Sequence, residues 1–413
     1  MDSKERKRVF FSVGEPSGDI HASNLILAMK RQTPNVDFVG LGGPRMREAG
    51  CELQFELTQL AVMGVIRVLP LVVKFWQVYR LACRYFQQER VDAVVLVDFP
   101  GFNWWIAKAA KKNGIPVYYY GVPQKWAWAP WRIRKMRRLV DVALVKLPFE
   151  AEWYQKRDMR AIYVGHPFYD EVEQQQLDDS FLEREQGEDT RLLLLPGSRD
   201  QEVNLNLDSL LTAAVKIHQE EPNVKFSLSC LHERHAQQCN QALAERQINW
   251  IDVYSGKTAE LMRLSRACIA CSGSVSLELM YNLIPTIIVY RVTRSGHFLA
   301  NLLVCVRYVT LVNLLWTPQV ERKGYEAPDP DAADAEPVPF PEYVTIENPG
   351  ERVGQRMLNW LKTPAEWESK RSQLVELKSK YAQLGATQRA AQILLELFSE
   401  TSDLGTAPSA KAA

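Results

Sequence analysis

The stretch VFFSVGEPSGDI, from Val9 to Ile20, sets the pattern from which the fold is predicted. Its apolar start predicts a strand over Val9–Val13, and renewed helical periodicity predicts a helix over Ile20–Gln32. The loop between them contains glycine and proline, and it carries the carboxylates of Glu15 and Asp19. A strand, a tight glycine-bearing loop and a helix are typical of phosphate sites, but carboxylates repel phosphate. The loop is therefore expected to serve another part of a substrate.

The same alternation of strand and helix signals recurs along most of the chain. Apolar runs such as Val91–Phe99 alternate with amphipathic helices in the first third, and a second series begins at Arg191. Runs of this kind are typical of parallel strands covered on both faces. The sequence therefore predicts the α/β class, with two Rossmann-like domains facing a cleft and with C-terminal helices.

The predicted boundaries follow changes in composition. An acidic polar stretch separates the two series, and a stretch rich in proline, alanine and acids interrupts the second. The predicted divisions are an N-terminal domain at 1–172, a linker at 173–190, a C-terminal domain at 191–350 with a mobile insert at 319–339, C-terminal helices at 351–400 and a disordered tail at 401–413.

Length, charge and cysteine content exclude several classes of protein. The chain has 413 residues, more than one ordinary core supports, and a formal net charge of +1. A charge so close to zero gives no global field for nucleic acid, so no nucleic-acid partner is expected. The seven cysteines are scattered and odd in number, which favours a reducing compartment over a disulfide framework. The charged N-terminus has no apolar signal-peptide core, which favours a cytoplasmic location.

Two apolar segments are candidates for contact with a membrane. Leu60–Arg80 and His297–Trp316 are each interrupted by charge, so neither is expected to span a bilayer. Within the first, Val62–Phe75 fits either a core helix or a helix in the headgroup region. Taken alone, the basic, tryptophan-bearing segment Lys125–Leu139 suggests either nucleic-acid contact or a solvated basic helix, and beside an acidic lipid it would suit phosphate and membrane-surface contact.

Acids follow two of the predicted strands in the first series. Asp98 comes directly after the apolar run that ends at Val97, and it shares the carboxyl edge of the sheet with Glu15 and Asp19. An acid held rigidly at this edge is an attractive general base, although Asp is also a common helix N-cap. The neighbouring candidates for substrate contact are Ser17, Gly18 and Asn103.

The second series contains two loops of the kind that bind phosphate. Gly197-Ser198-Arg199 follows a strand and precedes a helix that carries Glu202, and Ser272-Gly273-Ser274 precedes a helix that carries Glu278. Backbone N–H groups and a guanidinium suit a diphosphate, and a carboxylate near a first helical turn suits ribose hydroxyls. Ordinary helix capping is the alternative. Neither loop is a P-loop or a dinucleotide fingerprint.

One cluster resembles a metal site only in its residue types. Cys230, His232, His235 and Cys239 do not have the spacing of the common zinc patterns. No metal site is predicted.

Ten motifs occur in an order that resembles the lipid-A-disaccharide synthases, a family of glycosyltransferases. They are VGEPSGDIHAS, GLGGPRM, VMGV, VDFPGFN, WAW, LPFE, VGHP, LLPGSR, SGSVSLE and NLL. The resemblance runs from about Val9 to Leu315 and resumes near PFPEYV. It implies the GT-B-type architecture, with an N-terminal acceptor and catalytic domain and a C-terminal UDP-binding domain.

The resemblance also implies a reaction. The family moves a 2,3-diacylglucosamine from UDP onto the 6-hydroxyl of 2,3-diacylglucosamine 1-phosphate, forming a β-1,6 bond with inversion. Asp98 is implied as the base, with Glu15 or Asp19 orienting it or binding hydroxyls. Arg199 and the 272–274 loop are implied to hold the diphosphate.

Further roles follow from the same resemblance. Glu278 is implied to bind the ribose and Asn313 to lie at the nucleotide site, with no metal or cofactor. A homodimer with an exchanged C-terminal segment is implied, as is peripheral association with the cytoplasmic face of the inner membrane, with Val62–Phe75 facing acyl chains.

Two alternatives stay open from the sequence. One is another UDP-sugar enzyme of the same fold, either an epimerase or a glycosyltransferase that acts on non-lipid acceptors. The other is a non-catalytic protein that binds lipid or nucleotide, although Asp98, Glu15 and Arg199 favour catalysis.

Overall fold

The structure is a computed structural model that describes residues 6–60, 72–322 and 327–404. The chain divides into two compact units. Unit 1 comprises residues 1–126, 130–170 and 384–413, and unit 2 comprises 127–129 and 171–383.

Unit 1 contains a parallel sheet of seven strands. Its strands are β1 (Lys7–Val13), β2 (Val36–Gly42), β3 (Glu52–Glu56), β4 (Ala93–Val97), β5 (Val117–Tyr120), β6 (Val142–Val145) and β7 (Ala161–Tyr163). Its first helices are α1 (Pro16–Gln32), α2 (Pro44–Glu48), α3 (Val72–Gln88), α4 (Pro100–Lys112), α5 (Ile133–Leu139), α6 (Pro148–Gln155) and α7 (Phe168–Glu173), the last of which contains the boundary with unit 2.

The strand order of unit 1 explains where its loops meet. The order β3-β2-β1-β4-β5-β6-β7 reverses direction between β1 and β4, which are paired in parallel. Loops that follow the two strands at such a reversal diverge and leave a crevice at the carboxyl edge of the sheet. The loop after Val13 and the loop after Val97 therefore flank one crevice.

Helix α1 begins earlier than the predicted start at Ile20. It begins at Pro16, because proline has the helical φ and needs no N–H bond in the first turn. The loop after β1 is correspondingly short. Both Ser17 and Gly18 lie in the first turn of the helix.

Unit 2 contains a second parallel sheet of six strands. Its strands are β8 (Arg191–Leu195), β9 (Lys225–Cys230), β10 (Ile251–Ser255), β11 (Ala267–Cys271), β12 (Thr286–Arg291) and β13 (Glu342–Thr345). Its helices are α8 (Asp179–Glu185), α9 (Asp200–Glu220), α10 (Glu233–Glu245), α11 (Thr258–Leu264), α12 (Val275–Tyr281), α13 (Arg294–Leu303), α14 (Leu311–Trp316), α15 (Gly350–Lys362) and α16 (Pro364–Tyr381).

The second sheet repeats the arrangement of the first. Its order, β10-β9-β8-β11-β12-β13, reverses between β8 and β11. The loops that begin after Leu195 and after Cys271 therefore flank the crevice of this sheet. These are the two loops whose sequences favour phosphate.

The last helix, α17 (Ala386–Leu404), belongs to unit 1. Its apolar face, which includes Ala390, Leu394 and Phe398, packs into the core formed by β1 and α1. The C-terminal helices predicted at 351–400 are thus divided, with α15 and α16 in unit 2. The predicted linker at 173–190 also differs, because it contains α8, whose Phe181 is buried in unit 2.

The predicted insert at 319–339 is anchored where the structure describes it. Asp331 forms ion pairs with Arg352 and Arg356 of α15, and the Nζ of Lys370 donates to the carbonyl of Val338 at 2.7 Å. The acidic composition that suggested a mobile loop instead supplies partners for arginines. Residues 323–326 lie outside the described part.

Among the described residues, no helix combines the length and apolar character needed to span a bilayer. Most of the segment Val62–Phe75 falls within 61–71, outside the described residues.

Candidate active site

Asp98 stands at the carboxyl end of β4 in a strained turn. It has a φ of 45° and Phe99 has a φ of 43°, so two consecutive non-glycine residues are left-handed. Each such residue costs about 1–3 kcal/mol, and strain of this kind concentrates at functional sites. Phe99 rather than Asp98 occupies the N-cap of α4, and no side chain caps that helix. The alternative role of Asp98 as a helix cap is therefore not supported.

A buried amide holds the strained turn. The Nδ2 of Asn103 donates to the carbonyls of Asp98 at 2.8 Å and Val97 at 3.2 Å, while its Oδ1 accepts from the hydroxyl of Ser12 at 2.7 Å. The hydroxyl of Tyr119 also donates to the Asp98 carbonyl. Asn103 is fully buried and holds the turn in place, and its contact with substrate stays a prediction.

The carboxylate of Asp98 has room on two sides because glycines lie there. A Cβ on Gly18 would lie 3.6 Å from its Oδ2, and a Cβ on Gly121 would lie 2.8 Å from its Oδ1. Gly121 also has a φ of 71°, which favours glycine. The Nζ of Lys146 lies 3.8 Å from the Oδ1 of Asp98, whose side chain is 26% exposed. The carboxylate is thus oriented, partly desolvated and open to a ligand.

Asp19 has a structural role at the edge of the sheet. Its side chain is buried and accepts the backbone N–H groups of Gly43, Arg45 and Met46 at 2.9–3.2 Å. Both carboxylate oxygens are occupied, so Asp19 ties α1 to the loop before α2. The predicted catalytic role of Asp19 stays a prediction.

Glu15 remains exposed at the same edge of the sheet, as does Ser17. Burial raises the pKa of Tyr119 well above its usual value, with further contributions from the charges of Asp98 and Glu15. The two carboxylates therefore act electrostatically on one tyrosine. Glu15 stays a candidate for orienting a sugar.

A neutral histidine lies close to this group. Burial lowers the pKa of His166 well below its usual value, and Lys146 and His21 add to the effect. Its Nδ1 accepts the N–H of Phe168 at 3.2 Å. His166 is a structural neighbour of the site and has no charge to contribute near neutral pH.

The phosphate-type loop of unit 2 is closed by a carboxylate. The backbone N–H groups of Ser198 and Arg199 donate to the Oε2 of Glu202 at 2.9 and 3.2 Å, and the guanidinium of Arg199 donates to its Oε1 at 2.6 Å. Burial acts to raise the pKa of Glu202, but these bonds outweigh it and lower that pKa. Gly197 has a φ of 129° and passes close to Glu202. Glu202 thus occupies the donors that the sequence assigns to phosphate.

The second loop of unit 2 leaves its backbone accessible. Gly273 and Ser274 are exposed, whereas Ser272 donates to the carbonyl of Val309 at 3.4 Å. Ser274 precedes α12 without a side-chain capping bond. Burial raises the pKa of Glu278, which sits in the first turn of that helix. These features are compatible with a ribose and phosphate ligand.

A cavity of about 440 Å³ adjoins the loop after β8. Arg199 and Glu202 line it together with Asn206, Tyr290 and Arg291. The Oδ1 of Asn206 accepts the N–H of Arg291 at 2.8 Å, which joins α9 to the end of β12. The sequence analysis did not single out Asn206, Tyr290 or Arg291. The end of the strand before Thr293 was a usable signal for the last two.

Asn313 has a structural role, and its predicted place at the nucleotide site stays a prediction. It is fully buried, its Nδ2 donates to the carbonyl of Phe340 at 2.6 Å and to Glu342 at 2.8 Å, and its Oδ1 accepts the N–H of Phe340. It fastens α14 to the segment before β13.

The cysteine and histidine cluster does not assemble a metal site within the described part of the chain. Cys230 and Cys239 lie with sulfurs 3.7 Å apart, whereas the Nε2 of His235 lies 2.7 Å from Asp200. No group of three or more His, Cys, Asp or Glu in the described ranges is placed to hold a metal.

Comparison with known proteins gives consistent matches. The family model described as lipid-A-disaccharide synthetase matches residues 9–324. A lipid-A-disaccharide synthase of Myxococcus xanthus is 31% identical over 95% of this chain and 97% of its own length. One from Trichlorobacter lovleyi is 36% identical over 77% of this chain and 83% of its own length.

Solved structures share the fold at low identity. UDP-GlcNAc 2-epimerase from Neisseria meningitidis, bound to UDP-GlcNAc, has a TM-score of 0.58 at 12% identity and covers 95% of this chain and 100% of its own. A UGT transferase from Siraitia grosvenorii in complex with UDP has a TM-score of 0.57 at 13% identity and covers 96% and 100%. MurG of Acinetobacter baumannii has a TM-score of 0.53 at 14% identity and covers 94% and 99%. At these identities the likeness shows the fold alone.

Proposed function

The chain belongs to the lipid-A-disaccharide synthase family, and from this premise we propose how its residues divide the work of the reaction. The enzyme is a GT-B-type glycosyltransferase. It condenses UDP-2,3-diacylglucosamine with 2,3-diacylglucosamine 1-phosphate, giving the β-1,6-linked disaccharide 1-phosphate and UDP.

Asp98 acts as the general base. Its carboxylate accepts the proton of the acceptor 6-hydroxyl as that oxygen attacks the anomeric carbon of the donor. The bond from that carbon to the UDP oxygen breaks, and the configuration inverts. The observation that supports this role is the strained, partly exposed Asp98 turn, which Asn103 and Tyr119 hold by its carbonyl.

The loop after β8 receives the leaving diphosphate. Its N–H groups and the Arg199 guanidinium stabilise the negative charge that develops on UDP. In this proposal the diphosphate displaces Glu202 from Ser198 and Arg199, because both anions need the same donors. Gly197 lets the backbone approach the phosphates.

The nucleoside is assigned to the neighbouring features of unit 2. Glu278 binds the ribose hydroxyls, and the exposed backbone of Gly273 and Ser274 contacts phosphate oxygens. The cavity beside Tyr290 and Arg291 is open to the remainder of the donor. The proposal assigns charge stabilisation to protein groups and includes no metal or cofactor.

Peripheral association with the cytoplasmic face of the inner membrane is part of the proposal. Both substrates are acylated, and the start of α3 exposes Val73 and Trp76. The guanidinium of Arg80 lies 4.9 Å from the centre of the Trp76 ring, and Trp105 of α4 is exposed nearby against Tyr79. Exposed apolar side chains with adjacent cations suit a headgroup region.

A homodimer with an exchanged C-terminal segment is also proposed. The apolar face of α17 fills the unit 1 core, so a partner's α17 would satisfy the same core without new chemistry. Light scattering after size-exclusion chromatography tests the dimer. A single mass equal to one chain contradicts it.

Incubation of the purified protein with both acylated sugars tests the function. We expect the disaccharide 1-phosphate by mass only when donor and acceptor are both present. UDP-GlcNAc alone should be returned unchanged. Epimerised UDP-GlcNAc would favour the epimerase alternative, and UDP binding without any product would favour the non-catalytic one.

A further inference from the structure

A second cavity in unit 1 is strongly basic. It has a volume of about 520 Å³ and lies where α4 and α5 meet the segment around Lys125. Nine described residues line it, of which six are lysine or arginine and none is acidic. We call it the α4–α5 pocket. Cations this close repel one another, so an anion in the pocket would be stabilised.

Lys125 is the most buried cation of the pocket. The residue is only 3% exposed, and the described residues that line the pocket around it include no carboxylate. Burial, together with the charges of Arg132 and Lys135, lowers the pKa of Lys125 to about 8. A buried ammonium without a counter-anion is costly. Its environment therefore favours a ligand that brings negative charge.

The neighbouring acids do not supply that charge. Asp141 pairs with Lys111 at 2.5 Å, and Asp158 pairs with Arg137 at 3.3 Å. Neither of these two pairs lines the pocket. The fold thus pairs these two cations beside the pocket with acids that do not line it.

The rim of the pocket is aromatic. Trp131 is 58% exposed, and the Nζ of Lys135 lies 5.6 Å from the centre of the Trp104 ring. Tryptophan with lysine or arginine is typical of side chains at a membrane surface. The pocket follows α4 away from the Asp98 loop, with Lys108 about 12 Å along the helix axis from Pro100. The end of the pocket at Lys108 is therefore well removed from the Asp98 turn.

We propose that the α4–α5 pocket binds the phosphate of an anionic phospholipid headgroup, with Lys125 at its floor and Lys135 and Arg132 at its sides. The proposal specifies the peripheral membrane contact proposed above and rests on that part alone. It is independent of the transfer reaction.

Sedimentation with vesicles tests the pocket without substrates. The full chain is mixed with vesicles of phosphatidylcholine, with and without phosphatidylglycerol. Lys125→Met removes the buried cation and keeps an apolar stem, and Arg137→Gln on α5 removes an equal charge outside the pocket. We expect Lys125→Met to lose about tenfold or more in affinity for the anionic vesicles, as for loss of a charged hydrogen bond. Arg137→Gln should stay within about twofold of the parent protein.

The thermal midpoint of Lys125→Met separates misfolding from loss of binding. We expect it to equal or exceed that of the parent, because a largely buried charge with no carboxylate among the described residues lining its pocket is removed. If Lys125→Met unfolds, Lys135→Gln at the exposed side of the pocket replaces it, with the same loss of binding expected.

Several results would overturn the proposal that the α4–α5 pocket binds a phospholipid headgroup. Equal losses for Lys125→Met and Arg137→Gln would mean general attraction to the surface. Inorganic phosphate binding without any preference for anionic vesicles would mean a free phosphate site. A raised KM for the acceptor in neutral detergent, with vesicle binding unchanged, would assign the pocket to the substrate phosphate. If the parent protein bound neither kind of vesicle, the proposed membrane contact would be refuted as well. The transfer reaction would still be tested separately, by the turnover assay.

Discussion

Replacing Asn103 with alanine separates the positioning of Asp98 from the binding of substrate. The amide donates to carbonyls of β1 and of the Asp98 turn, and it accepts from the Ser12 hydroxyl. Each lost bond is worth about 1 kcal/mol, and an unsatisfied buried hydroxyl costs about 1–3 kcal/mol. We expect a loss of about 2–5 kcal/mol, which a domain stabilised by about 5–15 kcal/mol survives.

The effect on rate should exceed the effect on donor binding. Without Asn103 the left-handed turn relaxes, and a displacement of about 1 Å in a catalytic group costs about 100-fold. We expect kcat to fall by about that factor while the dissociation constant of UDP is unchanged, because the loops proposed to bind UDP lie in unit 2.

Calorimetry and a mass-based turnover assay measure the two effects on the same preparation. The control is Asn113→Ala at the other end of α4, where a single bond to the Ala109 carbonyl is lost. It should change kcat little. A variant at 103 that loses stability as expected but keeps the parent kcat would refute the positioning role.

Three further predictions concern charge. Glu202→Gln should tighten UDP binding several-fold by calorimetry, because the amide no longer competes for Arg199; weaker binding would show that Glu202 preorganises the loop instead. Unit 1 should lose stability as pH falls below about 6.5, since the unfolded state then binds a proton that buried His166 resists. His166→Gln should shrink that slope in melts at successive pH values, and an unchanged slope would refute the assignment. Turnover should be unaffected by EDTA, and inactivation reversed by a divalent metal would contradict stabilisation by Arg199 and backbone donors.

The sequence located the loops of the site better than it assigned their side chains. Parallel strands follow from βα repetition, so the loops carrying Asp98 and Arg199 were predictable from apolar runs followed by polar residues. The burial of Asp19 and Asn313 was not, because their partners at Gly43 and Phe340 lie far along the chain. In the sequence, a polar residue beside a loop looks the same whether its side chain binds a ligand or the backbone.

Lys146 is a residue near the site that the sequence did not single out. It follows β6 as Asp98 follows β4, but a lone lysine after a strand is common. Only the pairing of β5 with both strands brings its Nζ within 3.8 Å of the carboxylate. The position of α17 was likewise hidden, since its apolar face does not specify which core it fills.

The proton acceptor is tested most directly with Asp98→Asn, which keeps the shape of the side chain and removes its basicity. Single-turnover rates with both acylated sugars, and UDP affinity by calorimetry, are measured on the same folded sample. The account predicts a rate lower by about 1,000-fold, within the range for loss of a general base, with UDP affinity within about twofold of the parent. A rate close to that of the parent enzyme would contradict it.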